Sequence, residues 1–101
     1  LSGNRIRKLS KNMFINFENL TELYLSENKI KILDSSLFQY LKKLKILHLN
    51  SNFLKKIEKN AFQGLENLEI LYLFTNQIIH IELGSLDNLK HLKWLQLYQN
   101  K

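Results

Sequence analysis

The sequence predicts an α/β solenoid in which about four similar coils stack along one axis. The first observation is an asparagine that recurs at intervals of 24 residues. It stands at Asn4, Asn28, Asn52, Asn76 and Asn100. The second observation is that several apolar columns recur with the same step along the chain, without an insertion. A single coil of this length cannot bury its own apolar edge, so neighbouring coils must cover one another.

Each unit contains one short strand. From Leu44 to Leu54 the pattern is L-x-x-L-x-L-x-x-N-x-L, and apolar and polar residues alternate over 47–49 as in a half-buried strand. Strands are therefore predicted near residues 22–25, 46–49, 70–73 and 94–97. They should pair in parallel about 4.8 Å apart on one concave face, with right-handed connections.

The segment after each strand leads the chain back to the next coil. Apolar residues at 57, 61, 62 and 65 follow one another at spacings near a helical turn, which predicts an irregular or short-helical convex side. The recurrent asparagines are predicted to form a structural ladder that satisfies backbone groups, rather than a binding site. A recurrent apolar column is likewise predicted to be a packing spine, formed by Phe14, Phe38, Phe62 and Leu86.

The repeat resembles the leucine-rich repeat family. The pattern L-x-x-L-x-L-x-x-N-x-L-x-x-I-x-x-x-A-F-x-x-L-x-x runs from Leu44 to Asn67. Its length of 24 residues and the positions of Phe62 and Leu65 make it similar to the "typical" subtype of extracellular receptors and matrix proteins, including Toll-like receptors, Slit proteins and variable lymphocyte receptors. The resemblance implies a horseshoe segment with a parallel concave sheet. That subtype often carries a proline in the column that this chain fills with Asp34, Glu58 and Glu82, so the convex backbone is expected to differ locally.

Residues 1–101 are expected to form a single array. Neither end shows the polar capping unit that solenoids use, so we expect an uncapped segment of a longer chain. The longest apolar run, Ile70 to Phe74, has five residues, against about 20 for a membrane-spanning helix. No membrane insertion of this segment is therefore expected.

The polar residues predict no catalytic site. His48, His80 and His91 occupy three different phases of the repeat, so no Ser, His and Asp set is predicted to converge. The three glycines are isolated, which excludes a glycine-rich phosphate loop. The chain has no cysteine, and the spacings of metal ligands are absent. We therefore expect no enzyme activity, no cofactor and no bound metal.

The concave face carries the candidate partner-binding residues. Side chains alternate across a strand, so residues between the buried leucines project from the concave face, where nothing in the repeat requires large apolar groups. The candidates are Tyr24, Ile46, His48, Ile70, Tyr72, Phe74, Trp94 and Tyr98. Exposed apolar patches with Trp and Tyr anchors usually mark interaction sites. The alternative is that these residues only stack along the sheet and stabilise it.

Basic residues gather just after each recurrent asparagine and predict a stripe along one lateral edge. They are Arg5, Arg7, Lys8, Lys29, Lys31, Lys55 and Lys56, in a chain of net charge +6. Such a stripe is a candidate site for sulfated glycan, anionic lipid or nucleic acid. Nucleic acid is disfavoured, since we expect the stripe to lack interleaved aromatic residues. The alternative is a solvated edge that keeps the solenoid soluble.

The function predicted from these features is ligand recognition. The resemblance implies the ectodomain of an innate-immune or adhesion receptor, or a secreted counterpart, placed outside the cell or at its surface. Its partner would be a protein ligand or co-receptor, and a homo- or heterodimer is compatible with this reading. Asn19 begins an N-x-S/T sequon and is the candidate N-glycosylation site. The alternative function is an intracellular or structural scaffold built on the same repeat.

Overall fold

Two parallel sheets form the framework of the chain. The computed structural model describes residues 1–100. The first sheet contains four strands in the order β1 (Glu22–Tyr24), β2 (Ile46–His48), β4 (Ile70–Tyr72) and β6 (Trp94–Gln96). All its pairings are parallel. The predicted parallel solenoid is therefore confirmed, and each predicted strand lies within one residue of the observed one.

Alternation of side chains fixes the orientation of this sheet. Leu23, Leu47 and Leu71 pair in register and point into the core, with at most 6% of their surface exposed. The ladder continues one residue past each strand. The Leu25 amide donates to the His48 carbonyl at 2.9 Å, and the Leu49 amide repeats the bond one coil later. The residues between the leucines therefore lie on the concave face.

The second sheet was not predicted. Strands β3 (Lys56–Ile57) and β5 (His80–Ile81) pair in parallel on the segment that leaves the asparagine corner. Each has only two residues, which is too short for a period-2 pattern to be visible in the sequence. Ile57 is fully buried and anchors this sheet on the core.

The convex side is irregular, as predicted. Within residues 1–100, one single-turn 3-10 helix (Lys11–Phe14) is the only helix. Ser10 caps it, because its hydroxyl accepts a hydrogen bond from the Asn12 amide at 3.3 Å. The other return segments are chains of turns. Segments this short cannot offset the cost of helix nucleation.

The core lies between the sheets and the convex turns. Phe14, Phe38 and Phe62 are fully buried, and their ring centroids are 5.7 Å and 6.4 Å apart. Leu86 extends this column and is partly buried against the core. Aromatic pairs at such distances are favourable beyond the area that they bury. The column therefore ties together the convex sides of successive coils.

The asparagine column joins neighbouring coils at the corner after each strand. The Asn52 amide donates to the Leu25 carbonyl at 3.0 Å and to the Leu49 carbonyl at 3.1 Å. Its oxygen accepts from the Ile30 amide at 3.1 Å. Asn28, Asn76 and Asn100 repeat this arrangement in the other coils, and the Asn4 amide donates to the Leu1 carbonyl at 2.8 Å. These side chains replace bonds that the backbone cannot make as it turns.

A left-handed residue precedes every asparagine of this column. The backbone angle φ is between 55° and 71° at Gly3, Glu27, Ser51, Thr75 and Gln99. Only the first of these is a glycine, so the strand-to-corner turn imposes a conformation that other residues rarely adopt. The turn is therefore set by the stacked coils rather than by local preference.

Glu82, which stands in the column where the family often carries a proline, makes hydrogen bonds that a proline could not make. The Glu82 amide, which a proline would lack, donates to the Ile57 carbonyl at 2.8 Å. The Glu82 carboxylate in turn accepts from the Lys59 amide at 2.8 Å. At this coil the acidic residue thus makes two bonds to the preceding coil.

No helix in the part of the chain that the structure describes is both long and apolar enough to cross a membrane.

Candidate ligand-binding surface

A stacked aromatic ladder runs along the concave face. Tyr24 and His48 stack at 4.3 Å between centroids, and His48 and Tyr72 at 4.8 Å. Tyr72 then meets Phe74 edge to face at 6.0 Å, and Phe74 stacks on Tyr98 at 4.7 Å. These five residues define the aromatic ladder. Tyr24, His48 and Tyr72 stack because strand pairing places the same column of successive coils side by side, whereas the step from Tyr72 to Phe74 joins two columns.

The rings of the aromatic ladder differ in how much of each is covered. His48 stacks on two neighbours, and His48, Tyr72 and Phe74 are half-buried. The terminal rings are more open, with 47% of Tyr24 and 53% of Tyr98 exposed. The surface is therefore a ridge of packed rings that is most accessible at its two ends.

Trp94 stands beside the aromatic ladder in a neighbouring column. It pairs in register with Ile70, which in turn pairs with Ile46, and 57% of its surface is exposed. The sequence analysis places Trp94 and Tyr72 on the same concave face. Trp94 belongs to the edge strand β6, and within residues 1–100 its ring stacks on no other aromatic ring.

A close contact between a histidine and a carboxylate lies at the first-coil end of the aromatic ladder. The His48 Nε2 atom is 2.9 Å from Oε2 of Glu22, and 19% of the His48 side chain is exposed. Hydrogen bonds with Tyr24 and then with His48 lower the pKa of the Glu22 carboxyl below its usual value. The same carboxylate raises the pKa of the Tyr24 hydroxyl. The sequence analysis did not predict this contact, because the two partners of Glu22 lie in the next coil and two residues along the chain.

The predicted basic residues lie on the surface beside the second sheet. Lys31, Lys55 and Lys56 surround a shallow apolar groove, and Lys56 also pairs with Glu58 at 3.3 Å. Arg5, Arg7, Lys8 and Lys29 are exposed on the preceding coils.

The expectation that no aromatic residue is interleaved with this stripe is wrong. Phe53 follows Lys29 by one repeat, and 39% of its surface is exposed. The two residues share a register, since the Lys29 amide donates to the Ile6 carbonyl and the Phe53 amide to the Ile30 carbonyl.

Asn19 lies in an exposed turn. Its side-chain oxygen accepts a hydrogen bond from Nζ of Lys43 at 3.1 Å. The amide nitrogen that a glycan would occupy is thus on an accessible surface.

Residues 1–100 contain no group of three or more His, Asp and Glu side chains that could hold a metal ion. His48 belongs to the aromatic ladder and His80 to β5, so these side chains serve different surfaces.

A family model described as Leucine rich repeat matches residues 1–52 and 42–101. The chain belongs to the leucine-rich repeat family. No curated protein sequence matches this leucine-rich repeat chain. Two solved structures are similar to it over 96% of its length. One is the Toll–Spatzle complex of Drosophila, with 29% identity and a TM-score of 0.92, and the other is a TLR13–ssRNA13 complex, with 37% identity and a TM-score of 0.93. The leucine-rich repeat chain spans 13% and 14% of those two chains.

Proposed function

We propose that this leucine-rich repeat segment is a non-enzymatic recognition module whose concave face binds a protein ligand or co-receptor. The observation that carries the proposal is the aromatic ladder together with the exposed Trp94. Tyrosine and tryptophan are the residue types most enriched among the anchors of protein interfaces. The repeat does not require them in these columns.

Stacking for stability accounts for part of this surface only. The His48 ring stacks on two neighbours, whereas Tyr72 and Phe74 each stack on one ring and meet each other edge to face, so stacking explains why these residues are aromatic. It is not seen for Trp94, which lies on the edge strand β6, is 57% exposed and stacks on no ring within residues 1–100. Large aromatic side chains on an exposed sheet face support an interaction site.

Nucleic acid is the second candidate ligand, because the similar TLR13 structure is a complex with ssRNA13. Single-stranded nucleic acids are usually held by aromatic faces on which bases stack. Tyr24, His48 and Tyr72 already stack on one another at 4.3 Å and 4.8 Å, so a base would have to separate these rings to enter between them. This part of the ladder favours a protein partner, whereas the unstacked ring of Trp94 is open to a base as well as to a protein.

The biological setting is part of the proposal. The similarity to Toll, whose complex with Spatzle is described as a hub in development and innate immunity, supports a receptor ectodomain or a secreted protein at the cell exterior. Residues 1–101 would act as one array within it, with a glycan on Asn19 and with homo- or heterodimerisation as a further option. A scaffold on the same repeat is the alternative setting.

A photo-crosslinking experiment in the native host tests the concave surface. A photoreactive phenylalanine analogue replaces Phe74, and the matched control carries it at Tyr40, an aromatic residue with 36% exposure outside the concave strands. We expect a discrete protein adduct from position 74 and none from position 40. An RNA adduct at position 74 would favour the nucleic-acid alternative, and equal adducts at both positions would contradict a concave site.

The identified protein is then purified, and its affinity is measured. Phe74→Ala and Trp94→Ala should each weaken binding by about 2 kcal/mol, or roughly thirtyfold, whereas Tyr40→Ala should leave it unchanged. Thermal melting of the same variants controls for folding. Binding that survives both concave changes would place the recognition site elsewhere.

A further inference from the structure

An apolar groove lies beside the second sheet and crosses three successive coils. It has a volume of about 440 Å³, within the range of about 300–1,000 Å³ common for small-molecule sites. Its lining residues are Lys31, Ile32, Lys55, Lys56, Ile79 and His80. It shares no residue with the aromatic ladder, so it is independent of the proposed function.

The floor of this groove contains two isoleucines that the repeat does not require. Ile32 is 61% exposed and Ile79 is 72% exposed. The columns that they occupy hold basic residues in other coils, such as Lys55 and Lys56 one repeat away. Isoleucine at these two positions therefore adds apolar surface to an otherwise charged edge, which is typical of a binding site.

The rim of the groove is cationic and only partly neutralised. Lys56 lies 3.3 Å from Glu58, whereas Lys31 and Lys55 have no carboxylate within 4.0 Å among residues 1–100. Lys56 and His80 stand directly opposite each other on the paired strands β3 and β5. The ammonium groups of Lys31 and Lys55 leave positive charge at the rim, which complements a bound anion.

We propose that the groove binds an anionic amphiphile, an acyl chain that ends in a carboxylate or phosphate. The chain covers Ile32 and Ile79, which belong to coils two steps and therefore about 10 Å apart. The head group lies between the ammonium groups of Lys31 and Lys55. A sulfated glycan would use the lysines but would leave the isoleucines exposed, so the combination of floor and rim favours the amphiphile.

Calorimetric titration with laurate, kept below its micelle-forming concentration, tests the proposal. Ile32→Ser and Ile79→Ser should each weaken laurate binding about tenfold. Lys31→Gln and Lys55→Gln should each weaken it about two- to fivefold, and dodecyl maltoside, which carries no charge, should be insensitive to the lysine changes.

Two exposed residues outside the groove provide matched controls. Leu83→Ser removes an apolar side chain that is 93% exposed, and Lys90→Gln removes an exposed charge. Both variants should bind laurate as the unaltered protein does. Thermal melting of every variant confirms that it is folded.

Vesicles of phosphatidylcholine, with and without phosphatidylglycerol, distinguish the two sources of such a ligand. Laurate binding without vesicle binding indicates a free amphiphile. Binding to anionic vesicles that depends on Ile32 and Ile79 indicates a lipid taken from a bilayer, and either result supports the proposal.

Three results would overturn it. The first is that neither laurate nor anionic vesicles bind. The second is that they bind but the isoleucine changes leave the affinity unaltered, as expected of an edge that binds anions such as heparin through charge alone. The third is an acidic amphipathic peptide that binds with the expected isoleucine and lysine dependence while laurate does not.

Discussion

Replacement of Asn52 by alanine tests the asparagine column at its most buried described position. Asn52 is 4% exposed, and its side chain makes short bonds to backbone groups of its own coil and of the preceding one. Asn52→Ala removes one acceptor contact and three donor contacts, the third being a longer one of 3.3 Å to the Asn50 carbonyl, without adding bulk. The effect on stability therefore depends on which backbone groups keep another partner.

The carbonyl groups keep one partner, but the amide does not. The Leu25 carbonyl still accepts from Asn28 at 3.1 Å, and the Leu49 carbonyl still accepts from Asn76 at 3.1 Å. The buried Ile30 amide loses the oxygen at 3.1 Å to which it donates. One unsatisfied buried amide costs about 1–3 kcal/mol, so we expect a loss of that size rather than three times as much.

Denaturant unfolding of the variants measures this loss. At about 4–8 °C per kcal/mol for a domain of this size, the melting temperature should also fall visibly. Asn50→Ala is the control, since Asn50 is half-buried in the same coil and no hydrogen bond of its side chain is present within residues 1–100. Asn52→Asp should cost more than Asn52→Ala at neutral pH, because a carboxylate would face two carbonyl oxygens. An unshifted midpoint for Asn52→Ala would refute the reasoning.

Three further changes probe other parts of the fold by the same measurement. Gly64→Ala should lower stability by several kcal/mol, since φ is +95° and the new methyl group would lie 2.5 Å from the backbone of the neighbouring coil; a midpoint near that of the unaltered protein would contradict this. Ser85→Ala should raise stability by about 1 kcal/mol, because the buried hydroxyl has no partner in residues 1–100; a loss of stability would indicate a missed bond. Tyr24 and then His48 lower the pKa of Glu22, so its contribution is present above the usual carboxyl pKa and is lost as pH falls through the lowered value. The difference in midpoint between the protein and Glu22→Gln should therefore shrink in acid, and parallel pH curves would show that the contact is not stabilising.

The sequence was sufficient for the fold because the repeat supplies its own register. Leu23, Leu47 and Leu71 are 24 residues apart, and parallel pairing of identical phases follows from stacking. The second sheet was not predicted because its strands have two residues each and their pairing depends on how the backbone turns after the recurrent asparagine. The direction of the backbone after that turn is determined only when the coils are stacked.

The candidate site was predictable as a set of columns but not as a set of contacts. The register placed Tyr24, His48 and Tyr72 in one column, and the structure stacks their rings. The step from Tyr72 to Phe74 is between columns and depends on side-chain rotamers, which periodicity does not determine. The apolar groove was not predicted either, because Ile32 and Ile79 belong to different columns of the repeat and only the structure shows that they line one groove.

Variation within a column does not by itself indicate a binding function. The residue before each recurrent asparagine changes from Gly3 to Glu27, Ser51, Thr75 and Gln99, yet every one has a left-handed backbone. These side chains vary because the turn that the stacked coils impose accepts several residue types at this position. A column supports recognition when its side chains are both exposed and larger than packing requires. Ile32, which has a coil on either side and is 61% exposed, meets both conditions in the groove, and Trp94 meets them on the concave edge strand within residues 1–100.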